Sequence, residues 1–157
     1  MKCLTGDIIL YTTVPTGPFY KRTGDILELL FKRSAYAAQY KHVAIAVGTQ
    51  TMVHALWPRV QRCAINWTDP GIEVWRVNNA TPSERHAAAV EATIRIGNKY
   101  NFKNRLVGLF PSHHAEICSV LVEDSWGGSC VLAPKPANNV VSPDALAAGG
   151  ILTKVYG

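Results

Sequence analysis

Two alternating runs separated by a glycine-led loop constrain this chain more than any other stretch. Tyr40-Lys41-His42-Val43-Ala44-Ile45-Ala46-Val47-Gly48 places His42, Ala44 and Ala46 on one strand face and Val43, Ile45 and Val47 on the other. Met52-Val53-His54-Ala55-Leu56-Trp57 reads as the returning strand. A three-residue hairpin loop at Gly48-Thr49-Gln50 sets Val47 opposite Thr51 and Ala44 opposite His54. In that register His42 and His54 share a face as diagonal neighbours. Small residues follow His42 on its face and leave room for another group to approach. Two readings are open for the pair: a base with the group that orients it, or two hydrogen-bonded structural histidines.

A second stretch decides which reading carries chemistry. In Ala115 to Trp126, a period of 3.6 brings Ile117, Val120, Leu121 and Asp124 to one side of a short helix, and Gly127-Gly128 ends it. Cys118 falls in the first turn. There the unpaired backbone N–H groups and the positive helix end favour a thiolate, so the thiol titrates at ~3.5–7.5 rather than ~8.5 when a His stands beside it. The same N–H groups suit the oxyanion of a tetrahedral intermediate. Alone, a Cys at the head of a helix is equally a small buried hydrophobe. With His42 in the chain, the nucleophile becomes the stronger reading.

The chain has 157 residues and 48% hydrophobic content, enough for one compact domain spanning 1–157 with a real core. No apolar run reaches the ~18 residues of a membrane span, and Gly6-Asp7 interrupts any signal-peptide core behind Met1-Lys2-Cys3-Leu4. The expectation is a cytoplasmic protein as written, with any export by a route other than a Sec signal. A net charge of +5 and a pI near 9.1 suit an anionic partner or surface. The basic residues are scattered, however, with doublets only at Lys21-Arg22 and Lys32-Arg33, which favours a solvated basic surface; a nucleic-acid partner is not expected. Cys3, Cys63, Cys118 and Cys130 show no CxxC spacing, against both a zinc ribbon and a dense disulfide framework. With Cys118 as nucleophile, three cysteines remain, and at most one internal bridge forms among them.

In chain order, Asp7-Ile8-Ile9-Leu10-Tyr11 is a short buried strand, and residues 12–17 are loop. Thr-Gly-Asp-Ile recurs at residues 5–8 and 23–26, but the first begins a strand and the second a helix over 26–39, capped by Asp25. Pro58 to Asp69 reads as irregular. Ile72-Glu73-Val74-Trp75-Arg76-Val77 alternates as an antiparallel strand. Thr81-Pro82-Ser83-Glu84 is a capping box with Pro at N1, opening a helix that runs to Ile96 and stops at Gly97. Ser142-Pro143-Asp144-Ala145-Leu146 is a second capped start, and 151–156 closes as a strand.

Together these segments carry a resemblance. Gly6-Asp7-Ile8-Ile9, His42-Val43-Ala44-Ile45, Val53-His54-Ala55, Val74-Trp75-Arg76, Gly97-Asn98-Lys99-Tyr100, Ile117-Cys118-Ser119-Val120-Leu121-Val122 and Ser142-Pro143-Asp144-Ala145-Leu146 resemble, in order and spacing, the YiiX/YebB-like branch of the NlpC-type cysteine peptidase superfamily. The resemblance covers nearly the whole sequence. It implies an α+β, circularly permuted papain-like fold, with the His strand ahead of the Cys helix and that helix packed on an antiparallel sheet.

It also implies roles. Cys118 would be the nucleophile, His42 its general base and then acid, and His54 the third member that orients His42. Close relatives often carry Glu at the third position, in a Glu-Ala pair where this chain has His54-Ala55. A His there resembles the two-His, one-Cys arrangement of lecithin:retinol acyltransferase-like enzymes. Ser119, Glu116 and Asp7 are the expected oxyanion or substrate contacts, although Glu116 also reads as a solvated carboxylate at a helix N-terminus and Asp7 as a structural or site-bordering residue. His113 and His114 with Cys118 form a compact His-His-x3-Cys, which matches no standard zinc pattern, so neither metal nor cofactor is expected.

The implied activity is acyl-enzyme hydrolysis of an amide, with peptidoglycan stem peptide as the natural substrate and partner. The alternative is a lipid or thioester acyl hydrolase or acyltransferase, with Leu106, Val107, Leu109 and Phe110 as a candidate acyl channel. A third reading is a non-catalytic module for an anionic partner, against which stands the intact set of Cys118, His42 and His54. A delivery or immunity partner is not determined by the sequence.

Overall fold

The computed structural model describes residues 3–12, 39–56, 58–100, 118–133 and 141–157. Six strands form one sheet: β1 (Ile8–Tyr11), β2 (His42–Ala46), β3 (Thr51–Leu56), β4 (Arg59–Ala64), β5 (Ile72–Val77) and β6 (Leu152–Tyr156). Their order is β4-β3-β2-β1-β5-β6, and every neighbouring pair is antiparallel. Three helices complete the described architecture, α1 (Pro82–Ile94), α2 (Cys118–Trp126) and α3 (Pro143–Ala148). The fold is α+β. The expected helix over 26–39 falls almost wholly outside the described residues.

Period-2 alternation sorts the sheet into two faces, each with its own core. On one face Ile8, Leu10, Val43, Ile45 and Val53 join Ala88 and Ala92 of α1, Leu121, Val122 and Trp126 of α2, and Leu146 of α3. On the other face Ile9, Tyr11, Ala44, Ala46, Met52, Ile72 and Val74 pack with Cys3 and Ile65. The described helices therefore share one side of the sheet, and α2 lies directly on β2 and β3.

The β2–β3 hairpin has the register expected from the loop length. Ile45 pairs with Val53 and Ala46 with Met52, and Val47 N donates to Thr51 O at 2.9 Å. Helix α1 begins with the expected capping box: Thr81 Oγ1 accepts from Glu84 N, and Thr81 N donates to the Glu84 carboxylate. It ends two residues short of expectation, with Arg95 as C-cap, and Gly97 in the left-handed region follows. Ser142 caps α3 in the same way, its hydroxyl accepting from Ala145 N.

Residues 59–64 correct the sequence reading. They form β4, paired with β3 at all six positions from Leu56↔Arg59 to Thr51↔Ala64. Only Val60 in this strand is fully buried, so its composition carries no apolar alternation. Backbone pairing with β3 makes it a strand. Arg59 and Arg62 stand exposed along it, the charge pattern that discourages association at a sheet edge. Part of that edge is also covered: Val60 N donates to Asn98 O, and Gly97 N to Val60 O.

Gly6-Asp7 locks the start of β1. Gly6 has φ +85°, and a Cβ there would stand 2.7 Å from the Arg85 carbonyl oxygen, so only glycine lets this turn lie against α1. Asp7 is fully buried and accepts from Arg76 Nε (2.9 Å), Arg76 Nη2 (2.7 Å) and Leu4 N (2.8 Å). Both carboxylate oxygens are thus engaged inside the protein, which is the structural one of the roles that the sequence offers for Asp7. It is a structural clamp between the N-terminal turn, β1 and β5.

Candidate active site

The hairpin register brings the two histidines together. His42 Nε2 lies 3.0 Å from His54 Nδ1, with the rings edge-on at 5.1 Å between centroids. Both side chains are buried, 5% and 4% exposed. Each has a reason to be there. His42 opens β2, and His54 lies diagonally across the ladder on the same face. Tyr11, directly opposite His42 on β1, lays its ring against the imidazole at 5.7 Å and directs its hydroxyl to Met52 Sδ at 3.0 Å.

The third neighbour is a residue that sequence reasoning did not select. Cys63 Sγ lies 3.5 Å from His54 Nε2. The signal that would have found it is the strand period of β4: with Gln61 opposite His54, Cys63 falls on the same face as its diagonal neighbour. Reading residues 58–69 as irregular removed that geometry from view. Burial raises the Cys63 thiol above its ordinary titration range, so the group carries its proton at neutral pH.

Burial also acts on His54, lowering it from its ordinary 6.5 to about 4. The ring is therefore neutral at physiological pH and carries a single N–H. A consequence for stability follows from the sign of this shift. As pH falls from about 6.5 to about 4, the unfolded chain binds a proton at this position that the folded chain refuses. Stability is then present above about 6.5 and decreases by on the order of 3 kcal/mol across the window. Urea unfolding of the wild type and of His54→Gln at pH 7 and pH 4.5 should show the larger acid loss in the wild type; parallel losses would mean that His54 titrates normally.

Cys118 is the first described residue of α2, half-buried and packed against the helix-side core. The Ser119 side chain is buried, 2% exposed. Glu116, His113 and His114, and the candidate acyl-channel residues 106–110, lie outside the described residues. All four cysteines are free thiols, so no bridge forms among Cys3, Cys63 and Cys130. The structure thus joins His42, His54 and Cys63 in one contact set, the two rings buried and the thiol half-buried. Alternation turns the two rings to the face of Ala44 and Met52, while the body of α2 packs on the face of Val43 and Ile45.

Among the described residues no three His, Cys, Asp or Glu side chains are grouped so as to hold a metal ion. No described helix is long and apolar enough to cross a membrane.

No family model and no curated protein matches the sequence. A solved structure does match: metalloprotein yiiX from Escherichia coli O157:H7, a DUF1105 protein, aligns over 99% of this chain and 97% of its own, with a TM-score of 0.68 at 17% sequence identity. At that identity the likeness is one of architecture, and the chain has the yiiX fold.

Proposed function

We propose that this protein is a permuted papain-like cysteine hydrolase with Cys118 as nucleophile, His42 as general base and acid, and His54 as the group that orients His42. The observation that carries the reading is the buried 3.0 Å contact between His42 and His54. His42 opens β2, so the reaction requires Cys118 to meet it at that strand end. His42 Nε2 is committed to His54, which assigns the proton of Cys118 to Nδ1.

The thiolate attacks the substrate carbonyl, and N–H groups at the head of α2 receive the oxyanion. Nδ1–H of His42 protonates the leaving group, and the neutral ring then takes a proton from the water that opens the thioester. An amide bond of peptidoglycan stem peptide is the leading substrate, in keeping with the basic charge and the superfamily resemblance.

The neutral His54 favours one second reading. A carboxylate at the third position would stabilise the His42 cation by charge; a neutral imidazole offers only a lone pair. This is the arrangement of the lecithin:retinol acyltransferase-like enzymes, and it supports a lipid ester or thioester as the alternative substrate.

The test is the rate of Cys118 alkylation by a small electrophile against pH, in the wild type and in His42→Ala, with the labelled residue located by mass spectrometry. Fast labelling well below the ~8.5 of an ordinary thiol, lost in His42→Ala, is expected. An ordinary profile indifferent to His42 would refute the activated pair and leave the binding-module reading. Muropeptides and lipid esters, offered to the active protein, then separate the two substrate classes.

A further inference from the structure

The histidine pair ends on a thiol, and the proton arithmetic of the chain gives that thiol a task. His54 has one ring nitrogen 3.0 Å from His42 Nε2 and the other 3.5 Å from Cys63 Sγ. Being neutral, His54 holds one proton, on Nδ1 or on Nε2 but not both. When His42 is the imidazolium, its Nε2–H must donate to a lone pair on His54 Nδ1. The proton of His54 is then on Nε2, buried, and needs an acceptor of its own. The sulfur in reach is Cys63 Sγ.

The opposite polarity is equally instructive. If the Cys63 S–H donates to His54 Nε2, the proton of His54 moves to Nδ1 and donates to His42 Nε2. His42 then carries its single proton on Nδ1, and that nitrogen can no longer accept one. The orientation at Cys63 therefore decides whether His42 is a base. Tyr11 and Met52, which also face the pair, satisfy each other and leave this role open.

We infer that Cys63 is a positioning residue, acting through His54: its sulfur accepts the Nε2–H of His54 and so holds the pair in the polarity that lets His42 Nδ1 take a proton. The thiol suits the task because its S–H rotates away and leaves a sulfur lone pair facing His54 Nε2, whether His42 is neutral or charged. Its raised titration range keeps it a neutral partner throughout. The inference rests on the reading of His42 as base, and it adds a fourth residue to the proposed set, supplied by β4.

The test uses 15N NMR of the histidine rings in the whole chain, at a pH where both rings are neutral and the two polarities compete. Wild type and Cys63→Ser, whose hydroxyl oxygen can also accept, should show His54 protonated on Nε2. Cys63→Ala should shift His54 toward the Nδ1–H form, lower the affinity of His42 for its proton, and slow Cys118 alkylation at neutral pH by roughly three- to tenfold, the worth of one modest hydrogen bond. Cys63 is half-buried on β4, so Ala is expected to fold; thermal melts of all three proteins check this. Unchanged ring-nitrogen shifts in Cys63→Ala, or an Nδ1–H His54 in the wild type at that pH, would overturn the inference. The ring nitrogens report independently of Cys118, so a Cys118 thiol indifferent to His42→Ala would refute the hydrolase reading while the NMR result still decides the role of Cys63.

Discussion

Replacing Cys118 with Ala is expected to abolish turnover of any substrate the protein cleaves, and His42→Ala to lower kcat by about 10²–10⁴-fold. The two losses have different origins. Without Sγ no acyl-enzyme forms, and what remains is the small acceleration from bound-substrate orientation and the helix N–H groups. Without His42 the thiol survives, but it must ionise unaided, and the leaving group departs without its proton. The double variant should be no slower than Cys118→Ala alone, because groups that act as a unit do not contribute additively. Both variants should keep the wild-type circular dichroism spectrum and melting temperature within a few degrees. Cys118 is half-buried and loses one atom, and His42→Ala removes a ring from a contact set that Tyr11 and Met52 still line. Undiminished hydrolysis by folded Cys118→Ala would remove it as nucleophile.

The largest stability effect is expected at Asp7. Its carboxylate is fully buried and accepts three hydrogen bonds, two of them from one guanidinium in the forked geometry that makes arginine pairs strong. Asp7→Ala leaves Leu4 N without this acceptor and deprives Arg76 of its partner. Breaking a buried pair by removing one member costs about 3–5 kcal/mol. The Arg76 side chain is 28% exposed and can turn to water, which places the expected loss near the lower end, on the order of 3 kcal/mol. Urea unfolding measures it directly. A loss under about 1 kcal/mol would mean that the clamp contributes no more than an exposed ion pair. The effect matters beyond the clamp, because β1 is bonded on one side to β2, which begins at His42, and on the other to β5, which carries Arg76.

Much of this was legible from residue order alone. Strict alternation in 42–47 and again in 52–57, with a short glycine-led loop between, leaves one register that keeps Val43, Ile45 and Val53 together; a slip by one residue would turn every side chain to the wrong face. That register by itself places His54 beside His42. The capping box at Thr81 and the N-cap at Ser142 are likewise local, because the acceptor and donor lie three residues apart.

Other features belong to the tertiary structure. Strand β4 has one buried apolar residue and three arginine or glutamine positions, so its identity comes from the backbone groups of β3. Cys63 cannot be placed beside His54 until that pairing exists. Asp7 reads as structural or site-bordering in the sequence, but its partner stands 69 residues away on a strand that only sheet assembly brings alongside. Which side of the sheet receives the Cys118 helix is decided the same way. Alternation names two faces without ranking them, and the larger apolar side chains of Val43, Ile45 and Val53 draw α1, α2 and α3 to theirs, because that is where more apolar area leaves water.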